Sequence, residues 1–331
     1  MMFLSIGLRA LVNVEALNMV ESIGNVTRHR RATIVKKTKN GYVLRVVPAI
    51  SGESIAHAYQ SWIVRLALKT GLPVCEFCEK EEFLKHADLN FFGNKKWEQE
   101  LKKVIEKREY DPHEIEKTII ANCIVEDIGG FLYPGVIPVK RTSRFQVGYM
   151  IPALDALDKA SIEPQFHVRH SPSQLAGAAE GQMMYYVEIG SAVYTLTFNL
   201  DIGGIGKTSM LKVENVIEEK ELKKRVEVSL DSLALMLDTK IFGAKLSRFT
   251  PVIEYESVIT ALSKKYPFTV SPPSASDYIS ETVMRAHKYG EVFDSEIKIY
   301  GFNAPVEGVE NFNTLIDLFS KIKEEVLTEL K

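Results

Sequence analysis

Apolar positions along the chain follow two rhythms, and the places where one gives way to the other mark the elements. Residues 3–17, FLSIGLRALVNVEAL, alternate apolar with polar or small side chains, which predicts a strand with one buried face. In that register Asn13 and Glu15 share a face with Leu11 and Leu17. After a basic stretch, Gly41 turns a short hairpin and Tyr42 to Val47 is β-rich, ending at Pro48. The rhythm then lengthens. In SGESIAHAYQSWIVRLALKTG, Ile55, Ala58, Tyr59, Trp62, Ile63, Leu66 and Ala67 recur at helical spacing between a candidate N-cap at Ser51 and a closing Gly71, which predicts a helix over 52–70.

From Glu76 to Lys117 the pattern is mixed-charge and helical with few apolar positions, as in an inserted helical subdomain at about 76–118. Ile119 to Val125 is apolar and β-branched, the composition of a strand. Phe166 to Val168 and Met183 to Phe198 alternate as strands around SPSQLAGAAEG, a tip small and polar enough to be mobile. Residues 214–237 read as a second helix, 249–259 as a strand, PFTVSPPSAS as a loop, 296–302 as a final strand and 311–330 as a closing helix. With the insertions set aside, the fold class is α+β. The order is compatible with the βαββαβ sandwich of ferredoxin-like and RNA-recognition-motif folds, carried on a single domain over 1–331.

Charge changes the picture. The chain has 331 residues, is 46% hydrophobic and carries a formal net charge of only -2. That charge is segregated: residues 22–52 hold +7 and 128–154 and 239–253 hold +3 each, with no Asp or Glu in any of the three. Such islands imply a basic face and an acidic back, the footprint of a polyanion partner. The alternative for the longest island is a solvated segment whose acidic partners lie elsewhere in the fold. No apolar run approaches the roughly 18 residues that cross a bilayer, and no secretory leader pattern opens the chain, so no membrane role and a cytoplasmic location are expected.

Motifs for catalysis or cofactors are weak. DIGGIGKTS at 201–209 lies between a strand and a helix, but a phosphate-binding loop needs Gly where this chain has Asp201, and a carboxylate there repels phosphate. Cys75 and Cys78 have metal spacing with His86 near, yet no second CxxC or HxxxH pair follows, so neither metal nor cofactor is expected. No carboxylate pair or Ser, His and Asp set stands out. By contrast, His167 and Arg169 share one side of an alternating strand, and Arg141 with Arg144 in KRTSR and Lys245 with Arg248 in GAKLSRF place Ser beside Arg, a pairing suited to a sugar-phosphate chain.

Several linked segments carry a resemblance that covers most of the chain: 13–32, 47–60, GGFLY at 129–133, VKRTSRFQVGYMIPA at 139–153, EPQFHVRH at 163–170 and AKLSRFTP at 244–251. Together they resemble the backbone subunit of the archaeal type I-A CRISPR interference complex, archaeal Cascade, in the DevR-like branch of the repeat-associated mysterious protein superfamily. The resemblance implies a palm like an RNA-recognition motif, and subunits stacked head to tail along a CRISPR guide RNA. It also implies a thumb hairpin, placed at 141–187, that kinks the RNA so that bases pair with target DNA, and docking by other subunits of the complex. Related subunits that cut RNA use an Asp between the first strand and first helix; residues 18–50 contain none, which implies no enzyme activity.

The candidate RNA-contacting residues follow. Asn13, Asn18, Arg28, His29, Arg30 and Arg31 come from the first strand and the basic stretch. Ser51, Gly52, Glu53, Ser54 and His57 come from the helix start, where free backbone N–H groups can hold phosphate. Arg141, Ser143, Arg144, His167, Arg169, Lys245, Ser247 and Arg248 complete the channel, with Phe145 and Met150 as apolar wedges between bases. The rivals are an RNA-processing nuclease using His29 or His167 as acid or base, and a DNA-binding autoregulator, for which no helix-turn-helix pattern is seen.

Overall fold

The alternation of the first strand decides where the layers go. The computed structural model describes residues 2–107, 110–170 and 182–330; at 169, 170, 182 and 183 it describes the backbone alone. β1 (Phe3–Glu15) is followed by β2 (Met19–Ile23), β3 (Val26–His29), β4 (Arg31–Thr38) and β5 (Gly41–Pro48). Helices α1 (Gly52–Thr70), α2 (Glu76–Glu79), α3 (Lys96–Glu106), α4 (Pro112–Asn122) and α5 (Ile124–Gly129) come next. Short strands β6 (Phe131–Tyr133), β7 (Val139–Arg141), β8 (Phe145–Val147) and β9 (Ile151–Pro152) lead to the long hairpin of β10 (Ser161–His170) and β11 (Gln182–Asp201). The chain ends with α6 (Glu219–Thr239), β12 (Val252–Ser263), α7 (Tyr278–Phe293), β13 (Ile297–Phe302), β14 (Glu310–Phe312) and α8 (Leu315–Glu329).

β1 lies between β11 and β12, antiparallel to both, and β13 and β14 extend the sheet beyond β12. Its even positions, Leu4, Ile6, Leu8, Ala10 and Val12, are fully buried in the main core with residues of α1, α6 and α8. Its other face is covered too: a side chain at Gly7 would sit 2.9 Å from Val270 Cγ2, in the loop that leads to α7. α1 spans the predicted 52–70; Ser51 accepts the Ser54 N–H at 3.3 Å, and Gly71 closes the helix with a left-handed backbone. Tyr59 joins α1 to α6 by donating its hydroxyl to the Ser229 carbonyl at 3.1 Å.

Three expectations change. Ile119 to Val125 is helical, split between α4 and α5; Ile119, Ile120 and Cys123 to Val125 are fully buried, and a run with no polar face does not reveal its period. α7 escaped the pattern because its inward stripe is narrow, Tyr278, Thr282 and Ala286, while Met284, Val292 and Phe293 are exposed. The basic stretch, given no element of its own from the pattern, is mostly strand, β3 and the β4–β5 hairpin.

Within the span 141–187, β8 and β9 pair with β11 inside the main sheet, and what forms a long hairpin is β10 against the first half of β11, from Ser161 opposite Ser191 to His170 opposite Gln182. The tip at 171–181 lies outside the described residues. Between α2 and β7, Phe92, Leu101, Ile105, Ile115, Ile119, Phe131, Tyr133 and Val139 form a satellite core of their own. Among the described residues, no helix is long and apolar enough to cross a membrane.

Candidate nucleic-acid interface

The basic stretch meets its acids in space, not in sequence. At the end of β1 the pairing slips between Val12 and Glu15, where Val14 takes a left-handed backbone (φ 56°), strained for a β-branched residue, and Glu15 turns inward. Its carboxylate accepts hydrogen bonds from the Tyr194 hydroxyl at 2.6 Å, the Leu17 N–H at 2.8 Å and the His29 ring. The other ring nitrogen of His29 donates to the Arg30 carbonyl at 2.7 Å, and Glu188 accepts both the His29 N–H and Arg31 Nη2. Burial alone would lower the pKa of His29; the hydrogen bond and charge of Glu15, the Arg30 carbonyl and Glu188 outweigh it and raise the value above the ordinary one.

His29 is therefore a buried strut and does not reach a phosphate. Arg31 is half spent on Glu188. Arg30 is different: its Nε is buried without a partner among the described residues, and Nη1 touches the Tyr149 hydroxyl only at 3.5 Å. It lines a groove of about 540 Å³ together with Asn18, Ser51, Glu53, Ser54, His57, Ser61, Trp62, Arg65 and the 241–244 segment.

Two close approaches make this groove. Asn18 Oδ1 accepts the Ser51 N–H at 2.8 Å, so the chain leaving β1 positions the start of α1. Gly52 lies against β8 so tightly that a side chain there would come within 2.7 Å of the Val147 carbonyl. On the far side Gly243, with φ 81°, presses on Leu17, and the Ala244 N–H donates to the Leu17 carbonyl at 2.8 Å. The same loop carries Lys245, whose pKa is lowered by burial and by Arg248, with Ser247 and Arg248 exposed beside it. It ends at Phe249, edge-on to His167 at 5.6 Å. The groove also holds the carboxylates of Glu53 and Glu81, so what it offers is N–H groups and hydroxyls around Arg30 rather than bulk positive charge.

Other candidates lie elsewhere. Arg141 is fully buried, clamped by Asp127 with Glu116 near, and burial lowers its pKa; Arg225 shares the Asp127 carboxylate at 2.8 Å. Its charge is consumed, so it does not face a channel. Ser143 hydrogen-bonds to the backbone of Phe145, and Arg144 pairs with Asp201 at 3.3 Å. Phe145 stacks on Phe198 at 5.6 Å with Tyr59 edge-on, and Met150 is buried in the same core, so neither wedges between bases. Asn13 lies half-buried on β1 opposite Val252, and Arg28 is exposed on β3 beside Tyr186. His167 stacks on Tyr185 at 5.2 Å; Arg169 lies in β10, but its side chain is outside the described residues.

Residues not singled out from the sequence also occupy these surfaces. Ala58, Ser61 and Arg65 continue from Ser51 and Ser54 a small and polar stripe at helical spacing toward the groove, a signal present in the sequence but masked by the apolar stripe beside it. On the β10–β11 hairpin Phe166, Val168 and Met184 are exposed, with Phe166 against Tyr186 at 5.3 Å. The glycine-rich segment at 201–209 is no phosphate loop: its N–H groups at Gly206 and Ser209 are taken by Asp127 and Glu116 of this chain, as is that of Met210 just beyond it.

The family model described as CRISPR-associated negative auto-regulator DevR/Csa2 matches residues 6–283. The chain belongs to the DevR/Csa2 family. The DevR/Csa2 match takes in every residue lining the groove and the whole β10–β11 hairpin. A relative from Saccharolobus solfataricus named CRISPR-associated aCascade subunit Cas7/Csa2 2 is 39% identical over 328 residues, covering 96% of this chain and 98% of its own. A second from that organism, CRISPR-associated protein Cas7/Csa2 1, is 38% identical over 333 residues, covering 96% and 97%. A solved chain titled CRISPR RNA-guided surveillance complex superposes with a TM-score of 0.55 over 98% of this chain and 99% of that one, at 9% identity, a likeness of fold.

Proposed function

We propose that this chain is a non-enzymatic backbone subunit of an archaeal RNA-guided CRISPR interference complex in the cytoplasm, binding guide RNA through its groove and leaving the bases to pair with target DNA. The observation that carries the proposal is the convergence at one groove of an Arg30 guanidinium with an unpartnered nitrogen, the capped start of α1 and the 241–248 loop. Two of the acid-free islands meet there.

The palm we propose is like an RNA-recognition motif. Support comes from the strand order β12, β1, β11 and then β8 with β9, all antiparallel, with α1 and α6 on one face, which is the arrangement a βαββαβ chain produces. The β10–β11 hairpin would be the thumb and the segment around 76–118 a helical insertion in one palm domain. Phe166, Val168 and Met184 take the wedge role that Phe145 and Met150 cannot. Head-to-tail self-association is supported by the β4–β5 hairpin, whose one face exposes Val35, Tyr42, Leu44 and Val46 beside Lys37. Other subunits of the complex would cap such a stack.

The nuclease alternative loses its acid or base, since His29 is sealed between Glu15 and the Arg30 carbonyl and His167 is packed between Tyr185 and Phe249. The test is the nucleic acid that copurifies with the chain. Discrete guide-length RNA is expected, and specific cleavage of repeat RNA by the purified subunit alone would overturn the scaffold role.

A further inference from the structure

The helical insertion leaves the palm through Cys75 and Cys78 and returns through Cys123 and Glu126. All four side chains are buried, and their Sγ and carboxylate oxygen atoms lie within 4.8 Å of one another. The sequence shows only one CxxC, but its mate is a Cys-x-x-Glu, Cys123 to Glu126, brought alongside by a hydrogen bond from the Ile124 N–H to the Pro73 carbonyl at 3.0 Å. The cysteines are therefore not isolated.

We propose that Cys75, Cys78, Cys123 and Glu126 form a structural zinc site that clasps the neck of the insertion. Three sulfurs select a thiophilic ion, and four protein ligands leave no open position, which favours zinc in a structural role. Zinc bonds of about 2.3 Å to sulfur and about 2.0–2.2 Å to oxygen place tetrahedral ligands roughly 3.5–3.8 Å apart, inside the observed limit. The carboxylate supplies a second, independent sign. Glu126 is fully buried; its Oε1 accepts His86 Nδ1 at 2.6 Å and the Cys75 thiol at 3.3 Å, while its Oε2 has no partner among the described residues. A buried carboxylate oxygen without a hydrogen bond is costly, and a bound cation removes that cost.

The surroundings fit the same ion. His86 is held from its other side by Glu98 at 3.2 Å and aims at Glu126, as an outer partner that fixes a ligand's orientation does. Lys85, half-buried, donates its ammonium to the Gly129 carbonyl at 2.8 Å. The clasp does not rest on the RNA-binding role.

The test uses the intact chain, purified under reducing conditions without chelator. Elemental analysis should find one zinc per chain, and exchange with Co(II) should give the thiolate-to-cobalt charge-transfer and intense visible bands of a tetrahedral thiolate site. His86→Ala should weaken zinc binding by about 10- to 100-fold in competition with a chromophoric chelator, while His86→Gln, which keeps a donor toward Glu126, should largely restore it. Wild-type protein that carries no zinc and takes up none, with three titratable thiols in denaturant, would show a plain thiol core and overturn the proposal. A disulfide among the three would overturn it equally.

Discussion

Arg30 and Arg31 are neighbours with the same side chain, yet the structure assigns them different work, and that difference can be measured. Arg31 is paired with Glu188 at 2.7 Å, whereas Arg30 has an Nε without a partner among the described residues and faces the groove. One charge-assisted hydrogen bond to a phosphate is worth about 1.5–3 kcal/mol, so Arg30→Ala should weaken binding of a short single-stranded RNA by roughly 10- to 100-fold. Removing one cation that neutralises a phosphate should also flatten the slope of log affinity against log salt by about 0.7, or roughly 2.6-fold over a fourfold change in salt. Arg31→Ala should cost less on both counts. Folding is a poor rival explanation for Arg30, because its side-chain hydrogen bond to Tyr149 is long and exposed and its removal should cost less than about 1 kcal/mol. The assay is fluorescence anisotropy with a short RNA occupying one subunit, so that multivalency does not mask the effect, at several salt concentrations. An unchanged slope for Arg30→Ala, or an Arg31→Ala defect as large, would refute the assignment.

Three further outcomes are expected. Phe145→Ala should destabilise the fold by about 3–5 kcal/mol in urea titrations, as removal of a packed core aromatic does; a change near zero would mean that Phe145 is on the surface. Because the pKa of His29 is raised in the folded state, that state binds more protons than the unfolded chain above pH ~6.5. The stabilisation from His29 should thus be complete below that pH and be lost as pH rises through the raised value; His29→Gln should remove this dependence, and a midpoint that climbs with pH in the same window would contradict the ion pair. Phe166→Ala with Met184→Ala should leave the urea midpoint nearly unchanged while abolishing periodic base exposure in chemical probing of bound RNA.

Local rules made part of this molecule legible in sequence and left another part hidden. α1 could be read to its caps because Ser51 and Gly71 act on their own chain neighbours. β1 could be read because a strand buried on one face by large side chains leaves Ser5, Gly7 and Arg9 as its alternate positions. The site was harder. The acid-free islands contain Arg30 and the 241–248 loop, which the fold brings to one groove, but acidity along the chain says nothing about Glu188 or Asp127, which arrive from far away to pair with Arg31 and Arg141. Likewise an apolar residue between basic ones, such as Phe145, carries no mark of which way it points; the pairing of β8 with β11 turns it inward.

β11 belongs to two structures at once. Its second half is bonded to β1 in the centre of the sheet, and its first half is one rail of the hairpin with β10. The arm is thus a continuation of the innermost strand, with no joint between them. At about 3.3 Å per residue, its ten-residue ladder is a ruler of roughly 33 Å, graduated in pairs of residues. A change of two residues in each rail alters its length and preserves its faces; a change of one turns Phe166 and Met184 to the side now held by His167 and Tyr185. The reach of the arm is therefore quantised by strand geometry, and the changes of length that keep its faces come in even-numbered increments.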